Sequence, residues 1–173
     1  DYFSELCHQD GLISYVEPYS FNAAYNELDA TRKVDVVMGE FWVNEKSYRG
    51  RVPSAVSSGR IYGKKVISAE AFTSVSLNWR GHPYHYKPYG DHIWAKGVNE
   101  MTFHRFAHQP NTHIVPGMTM SSIGSHIDRT QTWWSNGGKS WFSYLARGSY
   151  LLQQGVPESD FLVHLGDTSP LGV

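Results

Sequence analysis

Apolar and polar positions along the chain switch between two periods. Stretches in which apolar residues recur every three to four positions read as helices, and short β-branched runs read as buried parallel strands. Residues 2–9 carry a helical pattern that stops at Gly11. Residues 12–17 form a strand candidate ended by Pro18, and 22–30 a weak helix. A strand is predicted over 34–39, then a helix over 53–62 with Pro53 in its first turn and Gly63 as its stop. A strand over 65–69, a helix over 88–96 closed by Gly97 and a strand over 98–104 follow. Residues 105–136 read as a long loop bearing Gly, Pro, Ser and Thr. The strongest helix is 140–154: Trp141, Leu145 and Leu152 form its stripe, Phe142 and Leu151 flank it, and Gly155 ends it.

Strand and helix in repeated alternation imply a parallel β/α architecture. A whole (β/α)8 TIM-type barrel needs roughly 250 residues. The 173 residues therefore fit about four β/α units, read here as the second half of such a barrel. The rival is a small doubly wound sheet complete in itself. No Gly-x-Gly-x-x-Gly or phosphate loop follows a strand, which weakens a nucleotide-binding version. The chain opens on Asp1-Tyr2-Phe3 in mid-helix and stops at Ser169-Pro170-Leu171-Gly172-Val173, just after a new apolar run. The expectation is a fragment of one catalytic domain, with a following segment beginning near 160–173.

Composition narrows the partners. Aromatic residues reach 14%, with six Trp and eleven Tyr, which suits a stacking surface as well as an aromatic core. Fifteen Lys and Arg against sixteen acids leave a net charge of -1, and no basic run exceeds two residues, so nucleic acid is disfavoured. No apolar run approaches the roughly 20 residues of a membrane span. Cys7 is alone, which excludes an internal disulfide.

The candidate chemistry lies where the strands end. The runs 34–40 and 65–70 each close on a glutamate, Glu40 and Glu70, and aromatics follow: Phe41-Trp42 and Phe72. A carboxylate at the C-terminal tip of a parallel strand sits where α/β folds place their chemistry. Glycoside hydrolysis needs one carboxyl group to protonate the leaving oxygen and another to activate water or attack the anomeric carbon. Glu70 and Glu40 are the first candidates, since like charges at one site raise one pKa and suit it to the acid role. The plainer reading has each pairing with an arginine or capping the next helix. Glu17 repeats the pattern one strand earlier and would orient substrate or bind a cation. After the strand 98–104, His104 and Arg105 suit hydrogen bonds to sugar hydroxyls. Zinc ligation by His104 and His108 would need a helix, which Pro110 argues against. In the long loop, Asp128 and Arg129 can hold hydroxyls while Trp133 or Trp134 stacks on a sugar face; alternatively one Trp anchors the loop and Asp128-Arg129 is a structural pair. No Gly-x-Ser-x-Gly supports a serine nucleophile, and Cys7 falls in the first helix.

Several strings in consistent order resemble the α-L-rhamnosidases of glycoside hydrolase family 106. They are Met38-Gly39-Glu40-Phe41-Trp42, Ile61-Tyr62-Gly63-Lys64-Lys65, Ser68-Ala69-Glu70-Ala71-Phe72-Thr73-Ser74 and Gly97-Val98-Asn99. Phe103-His104-Arg105-Phe106-Ala107-His108-Gln109-Pro110, Pro116-Gly117-Met118-Thr119-Met120, Asp128-Arg129-Thr130-Gln131-Thr132-Trp133-Trp134 and Tyr144-Leu145-Ala146-Arg147 continue the match, as does Leu151-Leu152-Gln153-Gln154-Gly155. The resemblance implies a large secreted or periplasmic enzyme with a (β/α)8 catalytic domain. Such an enzyme removes terminal L-rhamnose from plant polysaccharides or glycosides with inversion, in some members with calcium near the site. This chain would supply strands five to eight. Glu70 would be the general base, and the acid would lie outside these residues. Glu40 would be a site residue and calcium ligand; Glu17, Trp42, His104, Arg105, His108, Asp128, Arg129 and Trp133 would shape the sugar pocket. The implied partners are a carbohydrate and the remainder of the polypeptide. The chain departs from the family pattern at Glu100, where Arg is expected after Asn99, and at Ser121-Ser122-Ile123, where an aromatic is expected. Two other readings remain: a non-catalytic carbohydrate-binding module, and a retaining galactosidase-like barrel that uses Glu40 and Glu70 together.

Overall fold

The computed structural model describes residues 2–18, 25–44, 48–120, 122–130 and 134–164. Helix α1 (Tyr2–Gln9) leads into a two-residue strand β1 (Tyr15–Val16), and α2 (Glu27–Thr31) into β2 (Val36–Val43). A short strand β3 (Tyr48–Arg51) precedes α3 (Pro53–Ile61), then β4 (Ile67–Thr73), a 3₁₀ turn (Asn78–Arg80) and α4 (Pro83–Lys96). Strand β5 (Glu100–Phe103), a π-helical turn (Trp134–Gly138) and α5 (Lys139–Leu152) complete the order.

The sheet runs β1-β2-β4-β5 with every neighbour parallel, and β3 pairs antiparallel with β2. The parallel α/β architecture expected from the alternating pattern is therefore present. Strand β4 lies along one edge of β2. The other edge is divided: β1 pairs with Val36 and Val37, and β3 with Glu40 to Val43.

Period two sorts the side chains. Val37, Phe41 and Val43 of β2, with Ile67, Ala69 and Ala71 of β4, join the helix-side core. There they pack with Ala55 and Val56 of α3, Tyr86 and Ile93 of α4, and Trp141 and Leu145 of α5. Phe72 sits at the centre of this layer, its ring centroid 4.8 Å from Phe41, 5.0 Å from Tyr86, 5.3 Å from Phe103 and 5.9 Å from Trp141. The opposite face carries the glutamates. It is concave: the Tyr15 hydroxyl on β1 donates to Glu100 on β5, three strands away. In a flat sheet those strands would lie about 14 Å apart, with their side chains standing upright.

Several boundaries differ from the sequence expectation. Strands β2 and β4 run past their glutamates to Val43 and Thr73, because the aromatic and β-branched residues that follow also pair. Strand β1 is only two residues long. Strand β3 was not predicted, since a polar edge strand has no apolar run to reveal it. Helix α4 starts at Pro83 rather than Pro88; Pro88 is held in the second turn. Its missing N–H falls opposite the carbonyl of Tyr84, a residue that is largely exposed. Among the described residues, no helix is long and apolar enough to cross a membrane.

Candidate functional site

Parallel pairing sets Glu40 directly beside Glu70 in the β2–β4 register. Both side chains rise from the concave face, and Glu17 enters from the residue after β1. One carboxylate oxygen from each of Glu17, Glu40 and Glu70 lies within 4.8 Å of the other two. Among the described residues this is the only group of three or more side chains of metal-ligating type.

Each member has a distinct setting. Glu40 is buried, and its Oε2 accepts the indole N–H of Trp42, two residues on and on the same face, at 2.7 Å. Glu70 accepts the hydroxyl of Thr73 at Oε1. Glu17 has a buried Oε1 with no hydrogen-bond partner. Burial, then the charges of Glu70 and Glu40, pushes the Glu17 carboxyl up to about 7. Gly39 makes room for this arrangement. A Cβ there would meet the Arg51 carbonyl oxygen at 2.5 Å and Val52 Cα at 3.0 Å, so only glycine lets the β3–α3 junction cross β2 beside Glu40. Below the cluster, the Tyr15–Glu100 bond spans the concave face. Burial, then the bond to Glu100, raises the Tyr15 hydroxyl to about 12, so it remains a donor.

The residues after β5 do other work. The His104 N–H donates to the Ala71 carbonyl at 3.2 Å, extending β5 along β4, and its Nδ1 is buried without a hydrogen-bond partner. The Arg105 guanidinium donates to the carbonyls of Met120 at 2.7 Å and Ile123 at 2.9 Å. Arg129 donates to the Gln109 carbonyl. Asp128 is buried and accepts from the Gly117 N–H at 3.2 Å, the Thr130 N–H at 2.8 Å and the Thr130 hydroxyl at 2.6 Å. His108 is exposed, and its backbone pairs with Met118. The structure thus draws Glu17, Glu40, Glu70 and Trp42 into one constellation, and sets Arg105, Asp128 and Arg129 on the backbone of the 104–130 loop. Trp133 lies outside the described residues. Sequence reasoning missed Thr73 and Tyr15. Tyr15 was readable in principle, being two residues before Glu17 on the same strand face.

Three carboxylates with few donors suit proton transfer to or from a substrate oxygen, or the capture of a hard cation. Comparison with known proteins narrows this. The family model Glyco_hydro_106, described as alpha-L-rhamnosidase, matches residues 1–173. A Formosa agariphila protein with the name "Putative beta-glucuronidase" is 35% identical over 169 residues, covering 98% of this chain and 14% of that protein. A solved rhamnosidase from Novosphingobium sp. PP1Y superposes with a TM-score of 0.80 at 25% identity, covering 88% of this chain and 15% of that one. The chain therefore spans about 14% and 15% of the lengths of these two relatives. With the match running from its first residue to its last, the chain belongs to the Glyco_hydro_106 family of glycoside hydrolases.

Proposed function

We propose that this chain forms four strands in the wall of a (β/α)8 barrel, the C-terminal half, in an inverting α-L-rhamnosidase acting on plant polysaccharides or glycosides. The parallel order and the concavity revealed by Tyr15 and Glu100 support the barrel. The convergence of Glu70 with Glu40 and Glu17 on that concave face carries the catalytic reading. Glu70 is the general base: it takes a proton from a water whose oxygen attacks the anomeric carbon, opposite the departing glycosidic oxygen. That oxygen takes a proton from an acid on another part of the polypeptide. Trp42 borders the sugar, and His104, Arg105, His108, Asp128 and Arg129 belong to the loop that encloses it. An enzyme with such substrates acts outside the cytoplasm, in the periplasm or as a secreted protein.

The carboxylates also fit calcium. Their oxygens lie within 4.8 Å of one another, and the Glu17 Oε1 is buried without a hydrogen-bond partner. Such an all-oxygen, multiply acidic set is what a hard cation takes as ligands. Glu17 and Glu40 would hold the ion beside Glu70. Bound there, calcium would supply a fixed positive charge for sugar hydroxyls.

Glu70→Gln in the full-length enzyme tests the reading, with a chromogenic aryl α-L-rhamnoside as substrate. Turnover is expected to fall about 10²- to 10⁴-fold with sugar binding retained. Unchanged turnover overturns the role of Glu70. One observation favours a second reading. Carboxylate oxygens of Glu40 and Glu70 lie within 4.8 Å, nearer the roughly 5–5.5 Å of retaining pairs than the roughly 6.5–9.5 Å of inverting ones. The anomer first released, read by NMR, separates the two.

A further inference from the structure

Strand β4 does not run straight past Glu70. Its register with β2 is regular up to Glu40 opposite Glu70 and resumes at Trp42 opposite Thr73. Between these pairs β4 advances from 70 to 73 while β2 advances only from 40 to 42, so β4 carries one extra residue, a β-bulge. Phe72 occupies the bulge at φ +62°, a left-handed conformation rare for an aromatic residue. In unbroken alternation, residues 70 and 72 would share a face and 73 would point to the helices. The bulge reverses this. Ala71 and Phe72 both enter the helix-side core, fully buried, and the Thr73 hydroxyl comes round to Glu70 Oε1.

The irregular segment is fixed from both sides. Rings of Phe41, Tyr86, Phe103 and Trp141 surround Phe72. The next loop satisfies the backbone: the Ser125 hydroxyl donates to the Phe72 carbonyl, the His104 N–H to that of Ala71 at 3.2 Å and the Gly124 N–H to that of Ser74 at 2.7 Å. A strained residue held this firmly beside a site points to a use for the strain.

We infer that Thr73 is the positioning residue for Glu70, delivered by the Phe72 bulge to hold one carboxylate oxygen and leave the other to receive the proton of the attacking water. This inference rests on the assignment of Glu70 as general base. A carboxylate free to rotate about its last bond spends little time in the productive orientation, and misplacement of this order costs up to about 100-fold in rate.

The test uses the full-length enzyme and the same aryl rhamnoside. Thr73→Val keeps the shape and removes the donor; kcat is expected to drop about 10- to 100-fold, with KM within about threefold and the melting temperature close to wild type. Thr73→Ser, which keeps the hydroxyl, restores most of kcat. If the valine variant does not fold, Thr73→Ala against Thr73→Ser isolates the hydroxyl, because both lack the methyl group. In a Glu70→Gln background, Thr73→Val gives no further loss, since the two groups act as one unit. Full kcat in Thr73→Val or Thr73→Ala, alongside an inactive Glu70→Gln, overturns the inference and leaves the base assignment standing. An equal loss in Thr73→Ser and Thr73→Ala overturns it too. Normal turnover in Glu70→Gln removes the base assignment, and this inference with it.

Discussion

The indole N–H of Trp42 points along its own strand and donates to Glu40 Oε2 at 2.7 Å. A tryptophan expected to shape the sugar pocket therefore also fixes a carboxylate. Trp42→Phe separates the two roles, because it keeps an aromatic face and deletes the donor. A charge-assisted hydrogen bond of this kind contributes about 1.5–3 kcal/mol. In the full-length enzyme the phenylalanine variant should lose about tenfold in kcat/KM. Trp42→Ala should lose more, with the extra loss in KM, as steady-state kinetics will show.

Glu17 sets a pH dependence. Its carboxyl is raised from 4.5 to about 7, first by burial and then by Glu70 and Glu40. The folded protein therefore holds this proton more tightly than the unfolded chain does. The stability gained from it is complete below pH 4.5 and is lost as the pH rises through 7. Melting temperatures of metal-free protein should fall between pH 5 and pH 8, and Glu17→Gln should flatten that slope. Millimolar calcium should raise the melting temperature of wild type at pH 8, and do so far less in Glu17→Gln.

Asp35 works in the opposite direction. Its side chain accepts from the Ser14 N–H at 2.6 Å, the Ser14 hydroxyl at 2.7 Å and His8 at 2.8 Å, tying α1 and the approach to β1 onto the start of β2. The Ser14 N–H, then His8, lowers the carboxyl to about 2. This stabilisation is present above pH 3.8 and disappears as the pH falls through 2. Asp35→Asn should cost about 1 kcal/mol once solvent screening is allowed for, measured by urea denaturation at pH 7.

Gly81 lies against the fully buried Tyr86, and a Cβ at position 81 would overlap the tyrosine hydroxyl. Gly81→Ala should destabilise by about 1–3 kcal/mol or more, since the ring is packed on all sides. Tyr86→Phe in the same chain should recover part of the loss. Denaturant midpoints of the four variants in the cycle will show it.

The parallel α/β architecture was legible from the alternating pattern, and period two puts Glu40 and Glu70 on one face when β2 and β4 pair in the observed register. What stayed hidden broke those rules. Thr73 lies beyond a bulge, where alternation gives the wrong face. Strand β3 is polar and pairs only at an edge. Pro88 resembled a first-turn proline, yet Pro83 fills that place. The polar side chains after β5 read as sugar contacts, and the pattern gave no sign that they also hold a loop whose backbone is only partly paired, by the bridges Phe106–Ile127 and His108–Met118. Arg105 and Arg129 donate to its carbonyls, and Asp128 accepts from its N–H groups.

The division of one β2 edge between β1 and β3 shapes the carboxylate trio. Glu40 and Glu70 are welded to each other by ladder hydrogen bonds, so their spacing is rigid. Glu17 comes after the last paired residue of β1, at the gap before β3 takes over, and is not part of the ladder. The trio is a tripod with two legs set in the ladder and one set outside it. The backbone ladder fixes the first two relative to each other, while the place of Glu17 is set by the chain beyond β1.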